Sequence, residues 1–208
     1  MSLAVLTYAT QETHAMRRAM ESFRRIGGVE PVVVGMGDTH SWQGRIAALY
    51  AWCLEHPAAS VLCVDAYDTC CVRSLYGLLC GGLTFSAEAN CWPDQERAND
   101  YKPCDTRYRY VNAGVWFGEG GAYCQLVEAR GLLAGVTDDQ RAYTAAHLAG
   151  EPFAVDHRCH IAHNRYLAED DWEIRDGIYW VKSTGTAPLV VHGNGGSSID
   201  VVWEAFGV

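Results

Sequence analysis

The sequence predicts an α/β fold in which a central, mostly parallel β-sheet is flanked by helices. Its first third alternates in the order β-α-β-α-β, which is typical of parallel sheets. The third predicted strand, residues 60–64, is almost entirely apolar, as expected for a strand that is covered on both faces. A length of 208 residues suits one domain with its own core. We therefore expect residues 1–208 to form a single domain.

The elements of the first third follow from short local patterns. Apolar, β-prone runs at residues 3–10 and 31–34 predict the first two strands. Amphipathic helices are predicted between the strands, because apolar side chains recur every three or four positions in residues 16–23 and 43–56. The first helix is expected to end at the glycine pair of residues 27–28.

The rest of the chain continues this alternation less regularly. The further predicted strands lie near residues 83–87, 115–118, 153–155, 178–181 and 189–192, and the further predicted helices span residues 122–133 and 138–148. Residues 90–111 form a long irregular stretch that is rich in Pro, Asp, Arg and Tyr. Irregular segments of this length usually cover a binding site in a compact domain.

The composition argues against several classes of partner. The chain contains 16 Lys and Arg against 25 Asp and Glu, a formal net charge of −9, and lacks the basic face that binds nucleic acid. No apolar stretch is long enough for a membrane span, and the first residues do not resemble a signal peptide. The nine cysteines include no C-x-x-C pair. We therefore expect a mostly reduced, cytoplasmic protein without membrane contact.

Two carboxylates follow the third predicted strand, at Asp65 and Asp68. Ligands bind at the carboxyl ends of strands in open α/β sheets, and carboxylate oxygens suit Mg²⁺ or Mn²⁺. A divalent-cation site is therefore one interpretation of this turn. The other is an aspartate that caps the turn, since Asp is common after strands.

A second apolar strand ends at His192 and opens into a glycine-rich loop, Gly193-Asn194-Gly195-Gly196. Backbone amides in such a loop can approach a ligand closely and form an anion-binding nest. The alternative is a flexible turn before a C-terminal helix, with His192 merely hydrogen-bonded.

Other polar clusters allow two interpretations each. Asp138 and Asp139 can cap a helix or contact sugar hydroxyls. Trp92, in the long irregular stretch, can lie in the core or stack on a ligand. The His- and Cys-rich residues 156–163 match no common zinc spacing, so we do not predict a zinc site there.

The segment F-S-A-E-A-N-C-W-P-D at residues 85–94 resembles the N-terminal glycosyltransferase domain of the procollagen lysyl hydroxylase family. Further similar segments follow the family order along nearly the whole chain. They are V-L-T-Y-A-T at 5–10, D-A-Y-D at 65–68, R-Y-V-N-A-G at 109–114, D-D-Q with Y-T at 138–144, D-H-R-C at 156–159 and H-G-N-G at 192–195.

This resemblance implies a GT-A type of fold and a retaining transfer of glucose from UDP-glucose with Mn²⁺, or with Mg²⁺ as the second option. The family acceptor is galactosyl-hydroxylysine of collagen; for this chain we expect a glycosylated peptide or saccharide hydroxyl. The implied metal ligands are Asp65, Asp68 and His192. The implied donor contacts are Thr7, Tyr67, Arg45, Gly193, Asn194 and Gly195. The implied catalytic-pocket residues are Asp138, Asp139, Asn112 and Trp92.

The chain departs from the family at two phosphate-contacting lysines. It reads Gln43-Gly44-Arg45 where the family has Gln-Lys, and after the glycine-rich loop, where the family has a lysine, Gly196-Ser197-Ser198 offers only hydroxyls. A non-catalytic relative that binds nucleotide sugars is therefore the alternative to an enzyme. A sugar nucleotidylyltransferase is disfavoured, because residues 7–14 contain no Gly, Lys or Arg for a triphosphate loop. No H-x-D motif for hydroxylase iron is present. The route to retention stays open between a nucleophilic Asp138 or Asp139 and a front-face transfer.

Overall fold

A computed structural model describes residues 3–166 and 170–208, within which three β-sheets are surrounded by five α-helices. The strands are β1 (Leu3–Tyr8), β2 (Val32–Val34), β3 (Ser60–Asp65), β4 (Thr69–Cys71), β5 (Leu83–Glu88), β6 (Tyr110–Glu119), β7 (Ala154–Asp156), β8 (Ala162–Tyr166), β9 (Trp172–Arg175), β10 (Ile178–Val181) and β11 (Val190–Asn194). The helices are α1 (His14–Ser22), α2 (Trp42–Glu55), α3 (Gly120–Ala129), α4 (Asp139–Leu148) and α5 (Asp200–Ala205). A π-helical turn, Phe23–Gly27, extends α1, and a 3₁₀ segment spans Gln95–Asp100.

The central sheet has six strands in the order β2-β1-β3-β6-β5-β7. Strand β1 pairs parallel with β2 and β3, and β5 pairs parallel with β7, whereas β6 is antiparallel to both of its neighbours. The prediction of a mostly parallel mixed sheet flanked by helices is therefore confirmed. This arrangement is a Rossmann-like fold of the GT-A type.

Strand β3 is buried on both faces, as its apolar sequence predicts. Val61 and Cys63 pack in a core cluster with side chains of α2, α3 and α4, whereas Leu62 and Val64 pack in a second cluster with side chains of α1 and α5. The sheet thus separates two hydrophobic layers. In the part of the chain that the structure describes, no helix combines the length and the apolar character needed to cross a membrane. None of the nine cysteines, which all lie in the described residues, forms a disulfide bond.

A small second sheet, in the order β4-β11-β8, lies beside the carboxyl end of β3. Strand β11 is antiparallel to β4 and parallel to β8, so that His192 lies opposite Thr69 on one side and Asn164 on the other. The backbone N–H of Gly193 donates to the carbonyl of Asp68 at 2.7 Å. This pairing brings the end of β11 next to the turn that follows β3.

The predicted strands and helices are all present, but the structure contains more strands than the sequence predicted. Strands β4, β8 and β9 were missed because they are short or carry polar side chains in their middle. Strand β6 begins at Tyr110 rather than at residue 115, since Asn112 and Gly114 interrupt its apolar pattern. In the His- and Cys-rich segment, the Asp156 carboxylate accepts the backbone N–H groups of His160 and Ile161, which is a structural role.

Candidate active site

A cleft of about 450 Å³ opens above the carboxyl ends of the central strands. A smaller compartment of about 140 Å³ adjoins it, and Trp42, Arg45, Asp65 and Asp68 line both spaces. The larger space is also lined by Glu88, Asn90, Trp92, Gln95, Asn112, Ala113, Gly114, Asp138, Asp139, Gln140, Tyr166, His192, Asn194, Gly195 and Gly196. The smaller space is also lined by Tyr8, Ala9, Thr10, His40, Ala66 and Tyr67.

The three predicted metal ligands converge at the junction of the two spaces. One ligand atom from each of Asp65, Asp68 and His192 lies within 4.8 Å of the other two. Nε2 of His192 is 3.2 Å from Oδ2 of Asp65 and 3.6 Å from Oδ2 of Asp68. The turn between the aspartates is fixed by the Thr69 hydroxyl, which donates to the carbonyl of Asp65 at 2.7 Å.

Gly114 makes room for this cluster. A Cβ atom at this position would lie 2.2 Å from Cε1 of His192 and 2.8 Å from Oδ2 of Asp65, so β6 can pass the site only without a side chain here. Two carboxylates and one imidazole are a donor set that suits Mn²⁺ and also accepts Mg²⁺. The residues therefore fit a divalent cation. Gly114 closes the R-Y-V-N-A-G segment of the sequence but was not predicted as a site residue.

Asn164 fixes the orientation of the His192 ring. Its Nδ2 donates to the carbonyl of Ala87 at 2.8 Å, which leaves Oδ1 to accept from Nδ1 of His192 at 2.7 Å. Nε2 therefore faces the two aspartates, as a metal-binding histidine requires. Burial alone would lower the pKa of His192, but Asp68 and Asp65 outweigh it and raise the pKa to about 10. No local pattern in the sequence indicates Asn164, because its role depends on the β8–β11 pairing.

Arg45 lines both spaces, and its guanidinium is held by two carboxylates. The guanidinium is 2.6 Å from Oδ1 of Asp65 and 2.9 Å from Oδ2 of Asp139, and it also donates to the carbonyl of Ala113 at 3.2 Å. The donor contact of Arg45 stays a prediction, and any such contact shares the guanidinium with these two carboxylates.

The side chain of Thr7, predicted to contact the donor, lines neither space. It is fully buried, and its hydroxyl donates to the carbonyl of Val64 at 2.7 Å, which links β1 to β3. Tyr67, by contrast, lines the smaller compartment together with Trp42 and His40. The contact of Tyr67 with the uridine part of a donor stays a prediction.

The glycine-rich loop divides into a structural and an exposed part. A Cβ on Gly193 would lie 2.2 Å from the carbonyl oxygen of Ser197, so this glycine closes the loop rather than lining the cleft. Gly195 and Gly196 have φ values of +65° and +76° and do line the cleft. Asn194 faces inward and donates to Glu88. The prediction of a ligand contact thus fits the two later glycines better than Gly193.

Glu88 is a site residue that the sequence reasoning missed. Its buried carboxylate lines the cleft and accepts hydrogen bonds from three carboxamides on separate elements, those of Asn112, Gln140 and Asn194. Burial raises the pKa of Glu88, and these three donors oppose the shift. The signal was present in the F-S-A-E segment, where a carboxylate ends a buried strand.

The remaining predicted residues line the larger space with different roles. Asp138 accepts the backbone N–H of Arg141 at 2.8 Å and so caps α4, which confirms one of its two interpretations. Asp139 is buried against Arg45, and burial raises its pKa although Arg45 opposes the shift. Trp92 is 59% exposed at the rim, which places its ring outside the core.

The fold and the Asp–Asp–His cluster define a domain of the GT-A type whose cleft fits a divalent cation. A family model described as the PLOD GT domain matches residues 1–202. The chain therefore belongs to this family, the glycosyltransferase domain of the procollagen lysyl hydroxylases.

Curated relatives agree with this assignment. A multifunctional procollagen lysine hydroxylase and glycosyltransferase of Caenorhabditis elegans is 29% identical over 225 residues, which cover 94% of this chain and 30% of that protein. The human multifunctional procollagen lysine hydroxylase and glycosyltransferase LH3 is 27% identical over 230 residues, with 96% and 30% coverage. A procollagen-lysine,2-oxoglutarate 5-dioxygenase of Drosophila melanogaster is 26% identical, with 96% and 31% coverage. The chain spans about a third of the length of these relatives.

Proposed function

We propose that this domain transfers a hexose from a UDP-sugar, UDP-glucose in the first place, to a hydroxyl of a saccharide or glycosylated peptide, with Mn²⁺ as cofactor and retention at the anomeric carbon. The observation that carries the proposal is the convergence of Asp65, Asp68 and His192, one ligand atom of each lying within 4.8 Å of the others, at the junction of two spaces. When bound there, the cation supplies Lewis-acid stabilisation of the charge on the departing diphosphate.

The two spaces match the two parts of such a donor. The smaller one is walled by aromatic rings, among them Tyr67, His40 and Trp42, and flat rings of this kind stack on a nucleobase. Gly195 and Gly196 line the larger space, and we assign their backbone amides to the diphosphate. The larger space holds the sugar and the acceptor between Glu88 and the exposed ring of Trp92.

The contacts of the two aspartates favour a front-face transfer. Asp138 caps α4 through Oδ1, and Asp139 is paired with Arg45 through Oδ2, so each carboxylate already has a structural partner that a nucleophilic role would have to weaken. In the front-face route the bond from the anomeric carbon to the diphosphate oxygen breaks as the bond to the acceptor oxygen forms. The acceptor proton moves to the departing diphosphate oxygen.

The second candidate function is nucleotide-sugar binding without catalysis. Among the described residues that line the two spaces, Arg45 is the one Lys or Arg, and two carboxylates already hold it. A site that offers the diphosphate no free side-chain cation binds it more weakly. The lack of a free side-chain cation therefore favours a domain that binds the nucleotide sugar without transferring the sugar.

A panel of UDP-sugars tests both functions. We expect UDP-glucose with Mn²⁺ to raise the melting temperature, and UDP to be released when a saccharide acceptor is added. Asp65→Asn should remove both effects, whereas Asp105→Asn, an exposed carboxylate outside the cleft, should keep them. Stabilisation without any UDP release from any donor would contradict the enzyme and support the binding role.

A further inference from the structure

Arg45 joins the cation site to the wall of the larger space. Its Nη2 lies 2.6 Å from Oδ1 of Asp65, while its Nη1 lies 2.9 Å from Oδ2 of Asp139. The side chains of Arg45 and Asp139 are only 6% and 5% exposed. A planar guanidinium can hold two carboxylates in fixed directions at once, which a lysine ammonium cannot do as well.

The two carboxylate oxygens of Asp65 have different partners. Oδ1 is held by Arg45, whereas Oδ2 faces Nε2 of His192 at 3.2 Å. Asp139 does not belong to the cluster of candidate metal ligands. Its carboxylate is oriented by Arg45 and by its place at the start of α4. One side chain thus determines how two functional carboxylates are presented.

We propose that Arg45 is a positioning residue that limits Asp65 to one oxygen for the cation and holds the Asp139 carboxylate in place in the wall of the larger space. This inference rests on the proposed function. The carboxylates of Asp65, Asp68 and Asp139 carry three negative charges. The positive charge of Arg45 brings the combined net charge to −2, which a divalent cation balances. Arg45 therefore weakens cation binding while it orders the wall that holds the sugar.

Removing Arg45 should move cation affinity and turnover in opposite directions. Arg45→Met frees Oδ1 of Asp65 and removes a nearby positive charge, so we expect Mn²⁺ to bind at least about threefold more tightly in titration calorimetry without nucleotide. Transfer from UDP-glucose should show a kcat about 100-fold lower, since misplaced active-site groups commonly cost this much. Arg45→Lys should lie between the wild type and Arg45→Met. Arg24→Met, which removes an exposed pair with Glu30, should change neither quantity.

A purely structural role makes a different prediction. It would lower the stability of Arg45→Met and leave Mn²⁺ affinity unchanged or weaker, and this result would overturn the proposal. If Arg45→Met does not fold, the double variant with Asp139→Asn removes the carboxylate left unpaired. That variant should fold and bind Mn²⁺ more tightly than Asp139→Asn alone; equal or weaker binding overturns the proposal.

The outcomes separate this inference from the proposed function. Tighter Mn²⁺ binding by Arg45→Met, without sugar transfer by any variant or by the wild type, supports the role of Arg45 and contradicts the enzyme. Transfer by the wild type without tighter binding by Arg45→Met contradicts the role of Arg45 alone. A wild-type chain that binds no Mn²⁺ overturns both.

Discussion

In one region of the cleft, backbone pairing brings Asp65, Asp68 and His192 together: Asp65 ends β3, His192 lies within β11, and β11 pairs with β4. In a second region, Glu88 is held by carboxamides from β6, α4 and β11, through side chains alone. All three residues of the first region were predicted, whereas in the second Asn112 and Asn194 were predicted as site residues but Glu88 and Gln140 were not. Backbone pairing leaves a local pattern in the sequence, whereas a side-chain network depends on contacts between distant segments.

The most direct test of the first region is to fill the space beside the predicted metal ligands. Gly114→Ala places a Cβ within 2.2 Å of Cε1 of His192 and within 2.8 Å of Oδ2 of Asp65. We expect calorimetry to show no Mn²⁺ binding and transfer to fall by about a hundredfold or more, because the ligands can no longer converge. Gly121→Ala, whose Cβ would be at least 3.2 Å from its neighbours, is the control and should retain Mn²⁺ binding. Normal Mn²⁺ affinity in Gly114→Ala would contradict the site.

The second region is tested by Glu88→Gln. The new side chain has the same shape but turns an amide toward donors that need an acceptor, so we expect a loss of about 1–3 kcal/mol in the free energy of unfolding. Transfer should fall about tenfold or more, while Mn²⁺ affinity stays within about twofold. Glu55→Gln, on the exposed face of α2, should alter none of these. A parallel loss of Mn²⁺ affinity would mean that the two regions are one unit.

Asn164 is expected to affect the metal end alone. Asn164→Ala removes the acceptor for Nδ1 of His192, and we expect Mn²⁺ affinity to fall about 10–100-fold, as for other residues that orient metal ligands. The measurement is a Mn²⁺ titration, with Asn164→Asp as the conservative comparison because it keeps an acceptor oxygen. Unchanged affinity in Asn164→Ala would show that the ring needs no such support.

The last prediction concerns pH. Although burial lowers the pKa of His192, Asp68 and Asp65 raise it to about 10, so a cation must displace a proton from Nε2. Mn²⁺ affinity should therefore rise by up to about tenfold per pH unit below this value. In EDTA the ion pair stabilises the fold below the unfolded pKa of about 6.5, and this contribution is lost as the pH rises toward the folded pKa. A pH-independent Mn²⁺ affinity between pH 6.5 and 8.5 would contradict this account.

Particular residues show how far the sequence could lead. The apolar run of β3 predicted a strand buried on both faces, and the polar residues at its end predicted a site, because both signals are local. The contacts of Arg45 and Thr7 could not be predicted, since a resemblance in sequence order does not reveal that the Arg45 side chain bridges two carboxylates and that the Thr7 hydroxyl bonds to β3. Asn164 and Glu88 were missed because their roles exist only after β8, β6, α4 and β11 meet.

The central claim is that one divalent cation binds between Asp65, Asp68 and His192. Anomalous diffraction at the manganese absorption edge, from crystals grown with Mn²⁺ and UDP, tests it most directly. We expect a single strong peak bonded to all three side chains and to the diphosphate. A structure with UDP bound but with no manganese peak, or with the peak at other residues, would contradict the account.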